Sequence, residues 1–219
     1  MTLSKLFTLS LAAFVAFTTA NLNAQQSYSS SWSNQSSWNS SWSTGPNGTH
    51  VSGNQQSSQQ SSTTVTNGNR TQQFEQNHNQ SSGFARGLDS NGAYNTQYAN
   101  QNGNVTYIDQ TRHAGSLGTV TNTQAVQGSY NNSQGFTETL GANGYTINGY
   151  NNRQAGIVTL NDTRGNILGT DFGQGRVRAI GYRQNQSFNG GINQFGQPSL
   201  NLNQSTHTFQ GGRDYGWRN

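Results

Sequence analysis

Asn143-Gly144-Tyr145-Thr146-Ile147-Asn148-Gly149-Tyr150 is the stretch whose reading decides the fold class. Asn-Gly is the strongest short hairpin-turn signal, and the residues behind it alternate apolar with polar, as a half-buried strand requires. Outward from this stretch the same unit recurs. Asn91-Gly92 precedes Ala93-Tyr-Asn-Thr-Gln-Tyr98, and Asn102-Gly103 precedes Asn104-Val-Thr-Tyr-Ile-Asp-Gln110. Leu117-Gly118, Gln134-Gly135, Ala155-Gly156, Arg164-Gly165 and Gln174-Gly175 each introduce another β-branched or aromatic run.

These glycines stand 9 to 17 residues apart. That spacing predicts an all-β region over 83–210, made of short strands joined by Asn-Gly or other glycine turns. A meander, a β-sandwich and an irregular β-helix all satisfy it, whereas a strict solenoid needs a more constant period. Pro198-Ser-Leu-Asn-Leu-Asn-Gln204 and Thr206-His-Thr-Phe209 are candidates for further strands. Residues 211–219 read as a frayed end. No stretch after residue 24 carries a helical stripe of apolar residues.

The preceding segment, 25–82, has a different texture. Runs such as Ser36-Ser-Trp38-Asn-Ser-Ser-Trp42 and Gln55-Gln-Ser-Ser-Gln-Gln-Ser-Ser-Thr-Thr64 hold too few apolar residues to offset chain entropy. A disordered, low-complexity Ser/Asn/Gln segment is therefore expected there. The aromatic series Tyr28, Trp32, Trp38 and Trp42 near its start resembles the stickers of adhesive or prion-like chains.

Residues 1–24 read as a secretory signal peptide. Lys5 supplies the positive start, Leu6 to Phe17 the apolar run, and small residues lead to a cut after Ala20 or Ala24. The apolar run falls short of the roughly 20 residues a membrane span needs. A secreted, extracellular product with no membrane span is expected.

Composition narrows the function. Of 219 residues only 8% are charged and 29% hydrophobic, against about 25% charged in ordinary globular domains. After Lys5 there is no lysine, and ten scattered arginines face seven acids. Nucleic-acid sites cluster their positive charge, so none is expected. With no cysteine, stability must come from backbone pairing, amide networks or assembly with other copies.

Chemistry-bearing patterns are sparse. His50, His78, His113 and His207 are far apart in sequence, and none has a second candidate ligand two to four residues after it. No nucleophile elbow, phosphate loop or paired carboxylates appear. No catalytic, cofactor or metal residues are assigned, and a non-enzyme is expected. Thr119-Val-Thr-Asn-Thr123 puts three threonines on one strand face, which polar strand surface explains.

The leading expectation is a structural or self-assembling component of an extracellular material, amyloid-like in its use of low-charge Asn/Gln-rich strands. The alternative is a secreted, non-catalytic β-module that binds a glycan or a surface. Partners are then further copies, other matrix components, or that glycan. The candidate assembly or adhesion residues are the aromatics Tyr28, Trp32, Trp38, Trp42, Tyr94, Tyr98, Tyr107, Tyr145, Tyr150 and Tyr182. With no mature lysine or cysteine, tyrosine coupling is the covalent hardening chemistry left open.

Overall fold

The computed structural model describes residues 26–219; the signal-peptide expectation lies outside them. Eight strands follow one another: β1 (Gln26–Gly45), β2 (Gly48–Asn67), β3 (Arg70–Asp89), β4 (Gly92–Gly115), β5 (Gly118–Gly141), β6 (Gly144–Ile167), β7 (Thr170–Asn193) and β8 (Pro198–Arg218). They form one antiparallel sheet in sequence order, an open meander with β1 and β8 as its edges. The all-β expectation holds in its meander form. At about 3.4 Å per residue, a 24-residue strand reaches roughly 80 Å.

The strands are therefore long rather than short. Turns at Asn91-Gly92, Leu117-Gly118 and Asn143-Gly144 form as expected, but Gly103, Gly135, Gly156, Gly165 and Gly175 lie inside strands. The true turns open at residues 46, 68, 90, 116, 142, 168 and 194, in steps of 22, 22 and then 26. The apparent irregularity came from counting strand glycines as turns.

Two turns show how the chain reverses. Gly92 has φ 124°, and the Asp89 carboxylate accepts the Asn91 N–H at 2.7 Å, an Asx turn. At Leu168-Gly169 both residues take positive φ, 53° and 79°, which leucine adopts only under strain.

Two further expectations are corrected. Residues 26–82, expected to be disordered, form β1, β2 and most of β3, and 211–218 complete β8. The reason is cross-strand support. Each Ser- or Gln-rich strand is hydrogen-bonded along its length to a neighbour, Trp42 facing Val51 and Phe74 facing Tyr107. Side-chain hydroxyls pair too, as Ser41 with Ser52 at 2.7 Å. Such pairs reward order where a core cannot.

There is one layer, so no core forms: among the described residues no hydrophobic side chain is buried. The buried positions are glycines, Gly53, Gly103, Gly149, Gly173 and Gly190. Register partners share a face because strand side chains alternate with period two. By that rule most large apolar residues fall on one face, which we call the apolar face. It carries Tyr28, Trp32, Trp38 and Trp42 of β1, Phe136 of β5, Ile147 and Ile157 of β6, and Ile180 and Phe188 of β7. The opposite face is richer in Thr, Ser and Asn.

Candidate assembly surface

The apolar face is organised by a pairing rule: an aromatic ring on one strand lies over a glycine on the next. Phe84 covers Gly53, Tyr130 covers Gly103 and Phe188 covers Gly149 on this face. Tyr98 over Gly83, Phe209 over Gly181 and Trp217 over Gly173 repeat the rule on the other. A Cβ added at Gly53 would stand 2.6 Å from Phe84 Cε1, and one at Gly103 2.7 Å from Tyr130 Cε1. Glycine is thus the seat that lets the ring lie flat across the neighbouring strand, restoring the apolar cover a glycine lacks.

Three glycine-seated rings, Tyr130 and also Tyr94 over Gly87 and Tyr215 over Gly175, reach a polar group one strand further on. His50, Gly87 and Tyr94 are successive register partners on β2, β3 and β4, and the Tyr94 hydroxyl sits 2.9 Å from His50 Nδ1. His78, Gly103 and Tyr130 repeat the arrangement on β3, β4 and β5, with a hydrogen bond between the outer two. On β6, β7 and β8 the Tyr215 hydroxyl crosses Gly175 to donate to Asp162 at 2.5 Å. Desolvation raises the Tyr130 phenol above its ordinary value of 10.0; for Tyr215 the first cause is the bond to Asp162.

Charge is handled locally. Arg70 grips Asp109 on the apolar face, the guanidinium Nε donating to Oδ1 at 2.9 Å. That bond holds the Asp109 carboxyl below its usual range, while burial pushes the adjoining Tyr107 phenol up. Arg176 and Arg178 flank Asp214 at 3.1 and 3.0 Å. The opposite face is knitted by hydroxyl and amide pairs, Thr96 with Thr137 at 3.2 Å and Asn79 to Asn102 at 3.1 Å among them.

The ten aromatics singled out from sequence are divided by the fold. Tyr28, Trp32, Trp38, Trp42, Tyr107, Tyr145 and Tyr182 share the apolar face; Tyr94, Tyr98 and Tyr150 point from the other. Those of β1 form a single file along an outer strand, with Trp32, Trp38 and Trp42 at 72%, 69% and 70% exposure. Sequence reading missed the glycine seats, His50, His78 and Asp162, and the phenylalanines. The signal for them was the spacing of true turns, since a constant hairpin length fixes which residues become partners.

Among the described residues no group of three His, Asp or Glu could hold a metal ion, and no helix is long and apolar enough to cross a membrane. No family model, curated protein or solved structure matches the chain.

Proposed function

We propose that the chain is an exported, non-catalytic structural subunit that self-assembles into an extracellular material, such as a matrix, fibre, shell, eggshell, cuticle or biofilm. The observation that carries this reading is the uncovered apolar face. Domains are ordinarily built from two packed layers because one layer leaves its apolar side in water. Here Trp32, Trp38, Trp42, Ile157, Ile180 and Leu202 are all at least 49% exposed. At about 25 cal/mol per Å² of apolar area removed from water, covering such a face favours association strongly.

The edges add to it. Natural edge strands are protected by charge, proline or bulges. β1 has no charged residue and no proline over its 20 residues.

The test is the concentration dependence of the full chain after signal removal. Growth of aggregates with cross-strand and inter-sheet reflections near 4.8 and 10 Å supports the proposal. A chain that stays monomeric with a β-rich far-UV spectrum up to millimolar concentration would refute it.

A second reading has one observation in its favour. On the polar face Tyr98 and Tyr150 flank Gly135 and, with Asn100, Asn148 and Asn203, line a shallow hollow. Paired aromatic rings with amides around them suit a sugar. Saturable glycan binding by a monomer, abolished in Tyr150→Ala, would favour that reading.

A further inference from the structure

The two outer strands are complementary to each other. Because the meander has eight strands, β8 runs opposite to β1. A second copy placed beside the first in the same orientation therefore offers its β1 antiparallel to β8. The lengths match, 21 residues against 20. β8 keeps its charges, Arg213, Asp214 and Arg218, near one end.

We propose that copies join edge to edge, β8 of one to β1 of the next, in the register that sets Gln26 opposite Arg218 and Gly45 opposite Ser199. This rests on the self-assembly reading above and specifies its interface. Three features select that register. It pairs β1 over its whole length. It keeps the apolar face continuous, because an even-numbered residue of β8 meets an even-numbered residue of β1, and both sets lie on that face. It also extends the glycine-seat rule across the boundary: Tyr28 falls on Gly216 and Trp32 on Gly212, while Trp42 meets Leu202. Sliding by two residues either way, the smallest shift that keeps the face, places neither aromatic on a glycine.

The neighbours of those glycines fit. Inside one copy the Arg178 side chain already reaches across Gly212, where an added Cβ would stand 2.5 Å from its Cδ, as His50 reaches Gly87. Gly216, facing Gln174, is open, with no atom nearer than 3.7 Å to a Cβ added there. Trp32 arriving over Gly212 completes a row of Arg178, Gly212 and Trp32, with the guanidinium in reach of the indole face. Tyr28 over Gly216 completes Gln174, Gly216 and Tyr28. Both repeat the order found in His50, Gly87 and Tyr94, a polar group and a ring meeting over a glycine. The contact joins different surfaces and does not close, so it generates an open-ended ribbon.

Cysteine pairs test this, since the chain has none of its own. Ser36→Cys with Thr208→Cys places the thiols directly opposite in the proposed register. Ser36→Cys with Gln204→Cys sets them four residues out, about 13 Å along the strand and beyond disulfide reach. Within one copy positions 36 and 208 lie on opposite edges, so a bond can form only between copies. All three positions are exposed and polar, and an unchanged far-UV spectrum verifies the fold. A ladder of disulfide-linked dimers, trimers and longer species on air oxidation of the first variant, absent from the second, is the expected result. Assembly without a ladder in the first variant overturns this interface and leaves self-assembly standing. Absence of assembly in both variants and in the parent chain overturns the two proposals together.

Discussion

The Tyr94 hydroxyl stands 2.9 Å from His50 Nδ1 although a whole strand runs between their backbones. The contact exists because the intervening residue is Gly87. A side chain there would lift the phenol off the sheet. Gly87→Val should destabilise the sheet by about 1–3 kcal/mol, the usual cost of overpacking. Tyr94→Phe, which keeps the ring and loses one hydrogen bond, should cost only about 1 kcal/mol. Urea midpoints followed by far-UV circular dichroism give both values; equal losses would contradict the seat.

Leu168 holds φ 53° in the sharp turn between β6 and β7. Asparagine tolerates that conformation, and Asn-Gly is the preferred pair for such hairpins. Leu168→Asn should therefore stabilise the hairpin by about 1 kcal/mol, within the range that left-handed backbone costs an ordinary residue. A raised urea midpoint is the expected outcome.

Alkali should loosen the sheet. Desolvation first of all raises the phenols of Tyr107, Tyr130 and Tyr145, and the bond to Asp162 raises that of Tyr215, all above 10.0. The unfolded chain releases these protons near pH 10 while the sheet still holds them. Their contribution is thus complete below pH 10 and is lost as pH rises through the folded values. Asp109 and Asp214 act at the other end. The bonds from Arg70 and from Arg178 lower them below 3.8, so their contribution is present above that pH and lost as acid protonates them. A pH series of urea midpoints should show a plateau falling at both ends; stability that rises above pH 10 would contradict the tyrosine assignment.

The exposed tryptophans of β1 should govern assembly more than folding. Trp32→Ser removes apolar area that is already in water within one copy, so the far-UV spectrum should hardly change. Losing a ring that becomes covered between copies costs about 2 kcal/mol, or roughly a thirty-fold higher critical concentration. Sedimentation of wild type and variant over a concentration series measures it. Trp32→Phe should recover most of the difference.

No two tyrosines are register partners in the sheet; Tyr107 faces Phe74 and Val126, and Tyr150 faces Gly135 and Ser187. Tyrosine coupling by peroxidase and peroxide should accordingly join copies rather than strands of one copy. Dityrosine fluorescence should run with dimers and larger species on a denaturing gel and be absent from monomer.

Part of this was legible in the residues themselves. Asn143-Gly144 turns as its sequence predicts, because its backbone preference is local. Asn102-Gly103 does not, although it carries the same two residues. Gly103 is needed where Tyr130 lies across it, and a glycine serving close approach looks the same in sequence as one serving a turn. Leu117-Gly118 turns while the hairpin at Leu168-Gly169 passed unseen, since leucine disfavours the conformation it takes there. The Ser- and Gln-rich strands read as disorder because their support comes from partners on neighbouring strands, such as Val65 for Tyr28 and Tyr107 for Phe74, far from them along the chain.

The sequence by itself determined the all-β character and the alternation along each strand, because period two is a property of neighbouring residues. Only the tertiary structure decided which glycines turn and which seat a ring, that the strands run 20 residues or more, and that Trp32, Ile157 and Phe188 share one uncovered face. Those outcomes depend on register, which is settled by the summed pairing of whole strands rather than by any residue within one.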